Sequence, residues 1–251
     1  MSLVDFDLDP RGVCTITLND PDRRNALSQA MAKDLAAIMD RVDQDPDIRV
    51  VILTNAGTAF CAGADLSERA SGTPIEIDPL SLAHRILDSP KPWVGRIAGH
   101  AIAAGTGLAA ACDFSVAQRG AKFGFTEVRL GVAPAVMSTI CLPKMRLGDA
   151  RAAFLRGRLF DGDEAARLGL ITHAVEDAAL DGAVNEIVDD LLLGGPEAIT
   201  ATKELLQHVV GLTPDEARAF AKARSGALFD SDEAAEGIEA FMEKRPPRWV
   251  N

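Results

Sequence analysis

Apolar and polar residues alternate over residues 4–8 and again over residues 13–18, the period of a half-buried strand, with Asp9-Pro10-Arg11-Gly12 between them. The two stretches read as a β-hairpin. Ser28 is then placed to cap a helix on which Met31, Leu35, Ile38, Met39 and Val42 recur at helical spacing, and Asp45-Pro46 stops it. Residues 48–53 form a continuous apolar run, the pattern of a strand covered on both faces. Residues 67–78 are polar, contain Gly and Pro, and read as a mobile loop. Further short strands are expected at residues 92–97, 114–117 and 171–175, with helices at 147–156 and 163–168. After Glu176 the pattern is helical throughout. Leu180, Ala183, Val184, Ile187, Val188, Leu191 and Leu192 make one stripe, Gly194-Gly195-Pro196 breaks it, and helices follow at 197–210, 214–228 and 232–244. Strand–helix units followed by a helical tail predict an α/β fold, without internal repeats or low-complexity segments.

Composition narrows the function classes. At 251 residues with 47% hydrophobic content the chain buries a sizeable core, as one domain with an appendage or two small ones. A formal charge of −11 opposes binding to nucleic acid, though a local basic patch still permits an anionic ligand. The most apolar stretch, residues 94–117, is interrupted by Arg96, His100 and Asp113, so no membrane span is expected. The start of the chain lacks a basic segment followed by an apolar one, so no signal peptide is expected and the reading is cytoplasmic. Cys14, Cys61, Cys112 and Cys141 show no close pairing, and His84, His100, His173 and His208 have no metal-ligand spacing. Reduced thiols and no metal follow.

The candidate chemistry lies in two runs of small residues. AFCAGADL at residues 59–66 follows an apolar strand, and AGHAIAAGTGLAAA occupies residues 98–111. Turns built from such residues bring backbone close to a ligand and leave N–H groups free to face an anion. Two of them provide the halves of an oxyanion hole for a thioester or other carbonyl. The plainer reading of AFCAGADL is a tight strand-to-helix turn. Residues 105–110, GTGLAA, match a dinucleotide fingerprint, but too few residues separate Gly107 from Asp113 for the helix that fingerprint needs.

These runs, with DRRNALS at 22–28, KFGFTEVRLGVAP at 122–134, LFDGDEAARLGLITHAV at 159–175 and FMEKRPPRW at 241–249, resemble the crotonase, or enoyl-CoA hydratase/isomerase, superfamily in order and spacing. The resemblance implies a crotonase-like spiral of ββα units over residues 1–190 and a helical trimerisation region over 191–251. It further implies an acyl-CoA thioester ligand, coenzyme A as part of the substrate rather than a cofactor, and a homotrimer or homohexamer. It places the oxyanion-hole N–H groups on Ala64 and Ala104, and coenzyme A along Arg24, Ala26, Ala62, Asp65, Leu66 and Lys244 (the last from a neighbouring subunit). Solvated arginines are an equal reading of Arg23 and Arg24, and a carboxylate at a helix N-terminus the favoured reading of Asp65.

Relatives that hydrate simple enoyl-CoAs carry two glutamates. The second matches Glu127; the first falls on Gly107. Gly at that position resembles methylglutaconyl-CoA hydratase-like proteins and also single-glutamate isomerases. Glu127, between Phe125 and Val128, is the expected acid/base, with a raised pKa; the plainer alternative is an ion pair with Arg129. Glu68 or Glu76 is a positional candidate to replace the missing carboxylate. His100 reads as a hydrogen-bonded structural residue, and Cys61 and Cys112 as buried small hydrophobes. The expected activity is therefore hydration of a 2-enoyl-CoA. The alternatives are a Δ3–Δ2 enoyl-CoA isomerase and an acyl-CoA-binding member that has lost catalysis.

Overall fold

The computed structural model describes residues 2–72 and 74–250. Strands β1 (Val4–Leu8) and β2 (Val13–Leu18) form the expected antiparallel hairpin, Val4 opposite Leu18 and Leu8 opposite Cys14. The turn closes because Asp9 Oδ1 accepts from the Arg11 and Val13 N–H groups, and Gly12 adopts φ +85°. A side chain there would meet Asp47 O at 2.5 Å. Helix α1 (Gln29–Gln44) is capped by Ser28, whose hydroxyl accepts from Met31 N. It buries Met31, Leu35, Met39 and Val42, each contributing roughly 1.5–3 kcal/mol of transfer free energy.

The chain then climbs in strand–strand–helix units. β3 (Val50–Asn55) leads to β4 (Ala59–Cys61), α2 (Leu66–Ser71) and α3 (Leu82–Asp88). β5 (Trp93–Ile97) leads to β6 (His100–Ile102) and α4 (Ala104–Ala111). β7 (Phe114–Gln118) leads to β8 (Phe123–Gly124), α5 (Ala135–Cys141), α6 (Leu147–Arg156) and α7 (Gly162–Arg167), and β9 (His173–Val175) closes the series. Each unit gives its first strand to a six-stranded sheet of order β1-β2-β3-β5-β7-β9, parallel from β2 onward, and its second to a small parallel sheet of order β4-β6-β8. This is the expected spiral of ββα units. The three strands of the small sheet are too short to be visible as a periodicity.

The loop expected over residues 67–78 is corrected. Its first part is helix α2, which Asp65 caps by accepting from Ser67 N and Glu68 N, and which Gly72 ends in the left-handed conformation. Residues 76 and 77 are tied to α1, because Gln29 Oε1 accepts from Glu76 N and Ile77 N while Gln29 Nε2 donates to Ile77 O. Thr73, within the expected loop, lies outside the described residues.

Helix α8 (Leu180–Leu193) lays Leu180, Val184 and Val188 on Val13, Val50, Val94 and Val116 of the large sheet, and carries the chain across residues 190 and 191. Helices α9 (Pro196–His208), α10 (Pro214–Phe229) and α11 (Asp232–Glu243) follow. Lys203 of α9 is buried, with Nζ donating to Lys91 O at 2.8 Å and Asp113 Oδ2 at 2.7 Å, and Asp113 Oδ2 also accepts from Trp93 N. These helices expose large apolar side chains, including Leu206, Phe229, Phe241 and Met242, as does the turn after α9 with Val210.

Candidate active site

Two strand-to-helix turns meet. In the first, Ala62 N donates to Arg24 O, Leu27 N to Gly63 O and Asp65 N to Leu27 O. Ala64 N is left with no acceptor among the described residues. In the second, Ala103 N donates to Gly124 O and Ala103 adopts φ +53°, ψ −118°, a strained conformation for a residue with a Cβ. Ala104 opens α4, so its N–H precedes every intrahelical acceptor. The two turns touch. A Cβ on Gly63 would sit 3.1 Å from Ala103 Cβ and 3.5 Å from Ala104 N, and one on Gly105 would sit 2.1 Å from Cys61 O. Only glycine at 105 lets α4 lie against β4.

Glu127 enters the same cleft from a third turn. It starts the 3₁₀ segment Glu127–Leu130, three residues after β8, and Gly131 closes that segment in the left-handed conformation. One carboxyl oxygen, Oε2, is fully buried and has no hydrogen-bond partner among the described residues. Burial raises the pKa of this carboxyl above the ordinary 4.5, and its own backbone N–H opposes the shift without cancelling it. The ion pair with Arg129 does not form. The Arg129 side chain instead runs along Gly157, whose Cβ would lie 3.3 Å from Arg129 Cγ. The cleft has a volume of about 450 Å³. Ala62, Ala64, Leu66, Ala104 and Glu127, all singled out in the sequence, line it together with Arg69 and Met137.

Met137 was not visible as a site residue, and it accounts for Gly107. A Cβ on Gly107 would be 1.8 Å from Met137 Sδ, so the thioether of α5 takes the space a side chain at 107 would need. Neither positional substitute for a second carboxylate lines this cleft. Glu68 accepts from Gln29 N at 2.8 Å, and Glu76 pairs with Lys33 at 2.7 Å.

The remaining candidates fall outside this set. Asp65 is buried with its carboxylate consumed: Oδ1 accepts from Ser67 N and Ser67 Oγ, and Oδ2 pairs with Arg23. Burial works to raise its pKa, but these hydrogen bonds and the Arg23 charge outweigh it and the net shift is downward. Arg24 is exposed, in the left-handed conformation, and meets the site through its carbonyl on Ala62 N; Ala26 is half-buried beside it. Lys244, the C-cap of α11, is exposed and does not line the cleft. His100 Nδ1 accepts from Lys122 N, a structural bond. Cys61 and Cys112 are buried, and burial pushes both thiols up to about 12. The GTGLAA helix is eight residues long and wholly buried, with Gly105 and Gly107 against Cys61 O and Met137 Sδ, which leaves no space for a pyrophosphate.

The sequence model of the enoyl-CoA hydratase/isomerase family matches residues 9–251. An enoyl-CoA hydratase of Mycobacterium tuberculosis is 35% identical, over 94% of this chain and 92% of that protein. The mitochondrial methylglutaconyl-CoA hydratase of Mus musculus is 32% identical, over 95% of this chain and 80% of its own length. The crystal structure of an enoyl-CoA hydratase of Mycobacterium smegmatis superposes with a TM-score of 0.91 at 30% identity, covering 100% of both chains.

Proposed function

Because the chain belongs to the enoyl-CoA hydratase/isomerase family, we propose that it hydrates the C2=C3 bond of a 2-enoyl-CoA with one carboxylate. The thioester oxygen lies between the Ala64 and Ala104 N–H groups, which hold the negative charge that develops when water adds at C3. Removing one such donor typically costs ~3–4 kcal/mol of transition-state stabilisation, so two fixed amides account for a large part of the barrier. Glu127 accepts the proton of the attacking water and returns a proton at C2. The observation that carries this reading is the buried Glu127 Oε2, unpartnered among the described residues, in the wall that also holds two amides with no acceptor among them. Coenzyme A runs past Arg24, Ala26, Ala62 and Leu66, with Lys244 reaching it from a neighbouring copy in a trimer. The apolar side chains exposed on α9, α10 and α11 support such an assembly.

The test is loss of enoyl-thioester absorbance with crotonyl-CoA, for the wild type and Glu127→Gln. Turnover in the first and its collapse in the second support the reading; no turnover in either refutes it. A second reading, movement of a double bond between C3 and C2 by a single base, is favoured by Met137 filling the space beside Gly107. Mass analysis separates the two, since hydration adds one water and isomerisation adds nothing.

A further inference from the structure

Resting on that acyl-CoA reading, we infer that Arg69 receives a carboxylate at the far end of the acyl group. The site then takes enoyl-CoA thioesters whose acyl chain ends in a second, free carboxylate.

The cleft wall carries two charged side chains among the described residues, Glu127 and Arg69; the rest is alanine, proline, leucine, valine and methionine, with Thr126. A neutral alkyl chain needs no cation there. Arg69 is exposed, and its guanidinium makes no hydrogen bond or ion pair among the described residues, in a chain with 37 acidic residues against 26 basic ones.

The two carboxylates closest in sequence are engaged with other groups. Asp65 is held by Arg23 and the first turn of α2, and Glu68 by Gln29 N. Arg69 is therefore presented rather than neutralised. Its position is tied to the reacting end, because α2 begins two residues after Ala64 and Asp65 caps it. Arg69 stands five positions after Ala64 and three after the start of α2, and a helix advances about 1.5 Å per residue, so the cation serves a short acyl chain. Glu127 comes from a different element, the turn after β8, and repels an anion, which directs the distal carboxylate to the Arg69 wall. An arginine–carboxylate contact forms two parallel hydrogen bonds and distinguishes a carboxylate from a methyl group.

The experiment is calorimetric binding of two saturated, unreactive thioesters of equal chain length, glutaryl-CoA and pentanoyl-CoA, to the full chain. The wild type is expected to bind glutaryl-CoA at least about tenfold more tightly, the usual scale of one charge-assisted contact. Arg69→Gln removes that preference while pentanoyl-CoA binding reports that the variant is folded; Arg69→Lys keeps part of it. Equal affinities in the wild type overturn the inference. So does an equal loss for both ligands in Arg69→Gln, which would place Arg69 on a phosphate of coenzyme A. Binding needs no turnover, so the crotonyl-CoA assay fails or succeeds separately from this one.

Discussion

Met137 Sδ occupies the position that a side chain at Gly107 would need, 1.8 Å from where its Cβ would be. Gly107 on α4 and Met137 on α5 thus share one space, which only one of them can fill. Gly107→Ala alone is expected to overpack this contact and destabilise the protein by about 1–3 kcal/mol. Met137→Ala opens a cavity, typically ~2–5 kcal/mol for such a truncation. The double variant should be more stable than the sum of the two losses, and chemical denaturation of all four proteins measures that coupling.

Glu127→Gln is expected to lower kcat/KM on a 2-enoyl-CoA by roughly 10²–10⁴-fold, the usual contribution of a positioned acid/base. Affinity for a saturated acyl-CoA should stay within a few fold. Comparable losses in both would make Glu127 a binding residue.

The raised pKa of Glu127 has a stability counterpart. The unfolded chain releases this proton near 4.5, whereas burial makes the folded chain keep it to a higher pH. Between those two values the folded state holds more protons, so stability falls as pH rises through the window, and the penalty persists above it. Glu127→Gln removes the penalty. Its Tm should exceed that of the wild type at pH 8, and the difference should vanish below pH 4.5. The activity of the wild type should rise through the same window if Glu127 acts as a base in hydration.

All four cysteines are free and buried, and burial pushes each thiol up to about 12. The thiolate is the reactive form. A disulfide reagent at pH 8 is expected to label none in the native protein and all four after denaturation. Fast labelling of the native protein would mean that the core holding these cysteines opens.

Gly63→Ala should damage the site without touching Glu127. Gly63 has φ +97°, where a Cβ is strained, and that Cβ would press on Ala103 and approach Ala104 N. The expected cost is about 1–3 kcal/mol of stability. Loss of turnover should exceed what the unfolded fraction explains, because the Ala104 amide moves.

What the sequence discloses depends on length and on chemistry. Helix α1 and the α8 stripe are long enough for their period to show, and the turn at Asp9–Gly12 carries its own residues. The crossing of the two amide turns shows only as AFCAGADL and Gly105, residues small enough for backbones to touch. Strands β4, β6 and β8 carry those turns, yet each has two or three residues, too few for any alternation. Helix α2 was hidden because its polar residues look like a loop, and its signal is the cap Asp65 followed by Ser67 and Glu68. Arg69 and Met137 fall in the stretches 67–87 and 133–140 where the acyl pocket is expected, but neither was legible as an individual site residue: their roles depend on which wall of the cleft they reach, and nothing local encodes that.

Ala103 holds a backbone shape that an alanine adopts only under constraint from both sides, by the bond of its N–H to Gly124 O and by the helix that follows. Such a residue relaxes as soon as either neighbour loosens, and the amide after it then swings away from the cleft. If the Ala104 amide holds the thioester oxygen as proposed, catalysis in this molecule is a gauge of its small sheet. In rising urea, turnover should disappear at concentrations where the helices, followed by circular dichroism, are still intact.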